Sequence, residues 1–258
     1  MKTIWVSSSF LRWDVSASGW SPVSTSAAKQ PYVILSHSAD LLKRHSGVLF
    51  RVDAVLAMKR ALDVRLKRLN HIYSFDRLCG KDIPKHIIQK LEYYGVVRPL
   101  MLRKLMDVRN TLEHGHKRPP TAERCEEFHE FVWYFLRSTE GIASWPVDGF
   151  EFRHPVHWAN YEIICEKDRN WTFRLRGWLT PDMVSMTSRK GWACFSLMNI
   201  KTRQEVRHTM TKAQLRMLPE KLDERGRMPD DVYVEMRLKL QEENPIHHQL
   251  VRRLFEVH

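Results

Sequence analysis

The run Asp107 to Gly115, DVRNTLEHG, holds Arg109, Asn110 and His114 with four residues between the arginine and the histidine. A guanidinium grips a phosphate through a planar fork of donors and does not deprotonate. An imidazole moves protons near neutral pH. The two together can cut RNA without a metal, provided they converge on one phosphodiester. His116, Lys117 and Arg118 follow directly. They are either contacts to an RNA backbone or an ordinary exposed basic loop.

The elements that must position these residues read as helices. Pro99 opens a helix carrying Leu102, Leu105, Met106 and Leu112 that runs into the motif; Gly115 ends it, and HKRPP forbids its continuation. On a regular helix five residues turn by about 500°, so His114 sits roughly 140° around the axis from Arg109. Either the last turn unwinds near Gly115, or the site takes arginine and histidine from two copies of the motif, which predicts a homodimer with a composite site on its axis. At a helix C-terminus the dipole favours imidazolium, and Glu113 beside His114 reinforces it. Arg109 follows Leu105 by four residues and starts from a face shared with the core, where it needs a partner. The plain reading of the same residues is a helix-terminal histidine and an arginine paired with Asp107 or Glu113.

The flanking chain is helical by the same criteria. GVLFRVDAVLAMKRALDVRLKRLNHIYSF carries Val48, Val52, Val55, Leu56, Leu62, Leu66 and Leu69 at helical spacing, with Lys59, Arg60, Arg65, Lys67 and Arg68 assigned to its other, solvated face. Ser38 is read as the N-cap of a shorter helix before it. Lys81 to Tyr94 forms another amphipathic segment with Pro84 in its first turn and Gly95 as its stop. Thr121 caps a helix whose stripe is Phe128, Phe131, Val132 and Phe135.

Outside this stretch the texture differs. IWVSSSF and FLRWDVS alternate like short strands, and SASGWSPVSTSAAKQP reads as a loop. GIASWPVDGF reads as a linker or corner. ANYEIICEK, WTFRLRGWL and ACFSLMNI read as strands, with turns at DRN and SRKG; KAQLRMLPEKLDERG, PDDVYVEMRLKLQEE and HHQLVRRLFEVH read as helices. The fold class is therefore α+β. An N-terminal strand-like segment (1–36) is free to join the later sheet, an all-α domain covers 37–140, and a smaller β-rich α+β domain covers 145–258.

Composition bounds the function. The 258 residues carry 42 Lys+Arg against 30 Asp+Glu, a net +12, and residues 1–140 hold 23 against 14 of these. Such an excess favours a polyanion through long-range, salt-sensitive attraction. No apolar run reaches the roughly 18–20 residues that span a bilayer. Cys79, Cys125, Cys165 and Cys194 are scattered and form no CxxC, which fits reduced thiols in a cytoplasmic protein. His154 and His157 with Cys165 match no standard zinc spacing, so no metal and no cofactor are expected. Trp158, Trp171, Trp178 and Trp192 fall in strand-like segments and are read as core before base-stacking platforms.

With Arg109, Asn110 and His114 near a helix end, inside a basic helical stretch and before a proline-containing turn, residues of about 38–140 resemble the HEPN superfamily. The resemblance implies a dimeric, metal-independent endoribonuclease. The RNA's own 2′-hydroxyl attacks, leaving a 2′,3′-cyclic phosphate. His114 transfers protons, Arg109 binds the scissile phosphate, and Asn110 holds the geometry or touches phosphate, with Glu113 in support. It also implies RNA as the partner, no membrane, a toxin, antiviral or abortive-infection role, and an antitoxin or other regulatory partner. The alternative is a non-catalytic RNA- or protein-binding and dimerisation module. A third reading takes RMLPEKLDERGRMPDDVYVEMRLKL as a DNA-binding helix pair.

Overall fold

The computed structural model describes residues 2–21, 23, 25–44, 47–78, 80–98, 100, 103–104, 120–153, 160–167, 171–202, 232–238 and 245–256. It mixes helices with an antiparallel sheet, in two compact units: Ser21–Pro146, and Met1–Trp20 together with Val147–His258.

In Ser21–Pro146 every described element is helical. Helix α1 spans Thr25–Arg44 and α2 spans Val48–Tyr73. A short α3 covers Ile87–Tyr93, α4 covers Ala122–Ser138 and α5 covers Glu140–Ser144. Helices α1, α2 and α4 pack on one another. The expected loop SASGWSPVSTSAAKQP fails at both ends: residues 16–20 belong to a strand, and α1 begins at Thr25 and carries Pro31 in its interior. Ala27, Ala28, Lys29 and Gln30 favour the helix; Pro31 costs one backbone hydrogen bond but is itself buried. Ser38 is not an N-cap: it lies buried in mid-helix and donates its hydroxyl to the Leu35 carbonyl at 2.7 Å.

Helix α2 buries Ala54, Val55, Met58, Ala61, Leu62, Leu69 and Tyr73, whereas Val48 and Leu56 of the expected stripe are exposed. Arg65 does not share a solvated face with Lys67. It is fully buried, donating to the Thr139 carbonyl at 3.2 Å and the Ala28 carbonyl at 3.3 Å. Pro84 precedes α3 instead of lying in its first turn. Gly95 does stop that helix: at φ +80° it lets the Val96 and Val97 N–H groups turn back to the Leu91 carbonyl. Thr121 caps α4 by accepting from the Arg124 N–H at 3.2 Å.

The second unit holds one eight-stranded sheet. Its strands are β1 (Thr3–Ser7), β2 (Asp14–Trp20), β3 (Val147–Arg153), β4 (Asn160–Glu166), β5 (Thr172–Leu179), β6 (Val184–Ser185), β7 (Trp192–Thr202) and β8 (Val232–Leu238). The order is β2-β3-β4-β5-β8-β7-β1-β6 and every pairing is antiparallel. Strand β3 starts at Val147, where a corner was expected. Gly149 is needed there: a Cβ would lie 2.8 Å from the Ile163 carbonyl oxygen of the neighbouring strand. Strand β8 replaces an expected helix. Its Val234, Met236 and Leu238 are buried and alternate with Tyr233, Glu235 and Arg237, a period of two that no helix can satisfy. The DNA-binding helix pair fails with it.

The order has a geometric consequence. A flat sheet would hold β1 and β2 six strand spacings apart, about 29 Å. The seven chain steps from Ser7 to Asp14 reach at most about 25 Å when extended, and Ser8–Arg12 is coiled into a 3-10 turn. The sheet must therefore curl. Phe10 of that turn is fully buried, with its ring centroid 5.3 Å from Phe152 and 5.4 Å from Tyr161, and Trp13 stacks on Tyr161 at 5.0 Å. Helix α6 (Pro245–Glu256) buries Ile246, Leu250, Val251 and Leu254, and places Phe255 at 6.1 Å from Trp171.

Candidate functional site

Arg109, Asn110, Glu113, His114, His116, Lys117 and Arg118 lie outside the described residues, so no distance joins arginine to histidine. The residues that flank them are described, and both flanks are tied to the helices. On the N-terminal side Leu100, Arg103 and Lys104 are helical. The Lys104 ammonium donates to Glu127 of α4 at 2.6 Å and lies 5.4 Å from the centroid of the Phe131 ring. Glu127 also pairs with Arg124, whose guanidinium covers Phe128 at 4.5 Å. The hydrogen bonds from Lys104 and then Arg124 hold the Glu127 carboxyl below its ordinary range. On the C-terminal side Arg51 of α2 donates from Nε to the Pro120 carbonyl at 3.0 Å, one residue before the Thr121 cap. The N-terminal flank is thus held through its own Lys104 to a carboxylate of α4, and the C-terminal flank through Pro120 to a cation of α2.

A second feature of this unit is a cleft of about 470 Å³ between α2 and α3. Helix α2 contributes Asp63, Lys67 and Asn70, the segment before α3 contributes Lys85 and His86, and α3 contributes Lys90. Lys90 is buried, and its ammonium donates to the Phe75 carbonyl at 2.5 Å. Asn70 is anchored too, accepting from the Asp76 N–H at 3.2 Å through Oδ1. Lys67 and Lys85 are exposed and enter no ion pair among the described residues. Sequence reasoning did not single out this cleft. Its one signal was the placing of Lys67 in a basic run, and the convergence with Lys85 and Lys90 exists only once α3 lies against α2.

Cys125, Cys165 and Trp171 pack in the interior, as expected of them. Cys125 is buried, and burial pushes its thiol above the ordinary range. Cys165 is buried in the sheet and its thiol is raised to about 12, mainly by desolvation. Neither can offer a thiolate at neutral pH. His154, His157 and Trp158 lie outside the described residues. Trp171 is fully buried, while Trp178 is half-buried and meets Tyr233 edge-on at 5.7 Å. Around Trp178 the outer face of the sheet is charge-balanced. Arg176 pairs with Glu162, Arg174 with Glu235 at 3.7 Å, and Arg237 with Glu166 at 3.1 Å. Arginines already committed to carboxylates attract a phosphate chain poorly.

The net charge follows the same division. Ser21–Pro146 holds 21 Lys+Arg against 13 Asp+Glu, net +8, and the rest of the chain 21 against 17, net +4. No helix of the described residues is long and apolar enough to cross a membrane. Compared with known proteins, the chain matches no family model, no curated protein and no solved structure.

Proposed function

We propose that this protein is a metal-independent endoribonuclease of the HEPN type, cleaving RNA by 2′-hydroxyl attack to a 2′,3′-cyclic phosphate and working as a homodimer. The carrying observation is the Arg109–Asn110–His114 spacing, set in a unit whose described elements are all helical and whose net charge is +8. Arg109 meets the scissile phosphate, and fixed cationic donors there stabilise the charge that grows on its oxygens. His114 moves the proton. Asn110 and Glu113 orient the pair, and His116, Lys117 and Arg118 hold the neighbouring backbone. An antiviral, toxin or abortive-infection role in the cytoplasm, under an antitoxin or other regulatory partner, belongs to the same reading.

The test is cleavage of a labelled single-stranded RNA by the purified full chain in EDTA. His114→Ala and Arg109→Ala should each lower the rate by about 100-fold or more, and the product ends should be cyclic phosphate and 5′-hydroxyl. Equal cleavage by all three proteins, or strict dependence on added metal, would sink the proposal.

A further inference from the structure

We infer that the cleft between α2 and α3 is a binding site for a nucleoside monophosphate, distinct from the motif that carries the proposed ribonuclease activity. Three ammonium groups, from Lys67, Lys85 and Lys90, line one concave surface. They come from two helices and the segment between them, so the fold gathers them where no sequence run does. Lys90 donates to the Phe75 carbonyl, whereas Lys67 and Lys85 enter no ion pair among the described residues. Asp63 sits one turn before Lys67, the spacing of a favourable helical pair, yet no ion pair joins them. Among the described residues the exposed cations of the cleft are thus unspent.

A phosphate monoester is the ligand such a group recognises. It is a compact anion of nearly two charges at neutral pH, and lysines meet it as point charges. The remainder of the cleft suits a nucleoside. Its volume of about 470 Å³ lies within the roughly 300–1,000 Å³ of small-molecule sites. The Asn70 carbonyl oxygen is engaged by the Asp76 N–H, which turns the amide –NH₂ into the available donor, suited to a base acceptor. The Asp63 carboxylate accepts from ribose hydroxyls, and Leu66 with Ile87 gives the apolar wall. The lining carries three lysines against the two carboxylates of Asp63 and Asp76, a net positive charge of one with His86 neutral. That favours a monophosphate over an uncharged nucleoside.

Calorimetric titration of the full chain with AMP, inorganic phosphate and adenosine tests this directly. AMP should bind with Kd below about 1 mM, inorganic phosphate should bind more weakly and compete, and adenosine should be weaker than AMP by tenfold or more. Lys67→Ala and Lys85→Ala should each weaken AMP by roughly tenfold. Both side chains are exposed, so melting curves should remain those of the parent and exclude misfolding. No AMP binding, equal binding of adenosine and AMP, phosphate binding as strong as AMP, or unchanged affinity in both variants would each overturn the assignment. RNA cleavage is read separately, through Arg109 and His114, so failure of either proposal is visible without the other.

Discussion

The helical unit and the sheet unit place their cations differently. On the sheet, Arg174 and Arg176 face glutamates in neighbouring strands, Arg237 of β8 reaches across β5 to Glu166 of β4, and the antiparallel register places Arg176 directly opposite both Glu162 and Glu235. In the helical unit Lys104 and Arg124 share Glu127 and Arg137 pairs with Glu140, but four other cations reach for backbone carbonyls. Arg65 takes Thr139 and Ala28, Arg68 takes Ala143 at 3.1 Å, Arg51 takes Pro120 and Lys90 takes Phe75. Thr139 is the C-cap of α4, its carbonyl shared with the Ala143 N–H at 3.1 Å, and Ala143 lies in the last turn of α5, where a carbonyl lacks an intrahelical partner and the dipole end is negative. A carbonyl satisfies a cation's hydrogen bonds without cancelling its charge. The paired arginines of the sheet are neutralised where they stand, whereas a hydrogen bond to a carbonyl leaves the cation's charge in place, and the helical unit carries the larger net charge, +8 against +4. That is the electrostatic condition for holding a polyanion or a phosphate.

The largest expected effect comes from breaking this scheme at its buried point. Arg65 is sealed in the core with Tyr32 at 5.7 Å and its guanidinium spanning α1 and α4; burial lowers its pKa from the ordinary value. Arg65→Met keeps the aliphatic volume but removes the guanidinium's hydrogen bonds to both carbonyls. It should cost about 3 kcal/mol, measured by urea unfolding followed at 222 nm. A loss under about 1 kcal/mol would mean that the carbonyls find other donors, and that the contrast between the units is superficial.

The matching perturbation on the sheet should be small. Arg176 and Glu162 are part-exposed, with side-chain exposures of 44% and 32%. Cross-strand ion pairs at such sites contribute roughly 0.2–1 kcal/mol. A double-mutant cycle of Arg176→Met with Glu162→Gln should return a coupling in that range, shrinking in high salt. A coupling near that of a buried pair would place the sheet's charges in the same structural class as Arg65.

These two arginines also show what the sequence could tell. Arg65 stands four residues after Ala61 and four before Leu69, on the buried stripe of α2 by helical arithmetic, so its burial was readable once its neighbours were counted instead of its type. The capping role of Thr121, the stop at Gly95 and the strands around Ile163, Leu175 and Phe195 were legible because each rests on local chemistry or period. The start of α1 was hidden because Ser, Thr and Pro31 mimic a loop, and tertiary packing overrode that bias. The strand at Val232–Leu238 was misread although Val234, Met236 and Leu238 alternate plainly. The curl of the sheet was not legible at all, since nothing local says that β1 and β2 belong near opposite ends of one strand order. For the site the balance reverses: the Arg109–His114 pair is a sequence feature, and the α2–α3 cleft is a structural one.

The subtlest test of the contrast is pH. His247 on α6 is largely enclosed, with Nε2 at 3.0 Å from the Trp171 carbonyl and its ring edge-on to Phe173 at 5.6 Å. Desolvation lowers its pKa below 6.5, against a smaller upward pull from that carbonyl, and neighbouring His248 adds to the fall; His248 is itself lowered, by desolvation and then Arg252. A folded pKa below the unfolded one means the unfolded chain binds more protons in this window. The stabilisation is then complete above about pH 6.5 and is lost as pH falls from there through the folded value. The sheet unit should weaken between pH 6.5 and 5.5, before most carboxylates titrate. His247→Gln retains a donor for the Trp171 carbonyl but cannot take up a proton, so its melting temperature should fall less over that interval. Equal pH slopes for His247→Gln and the parent would show that the imidazole charges as easily in the folded sheet unit as in water.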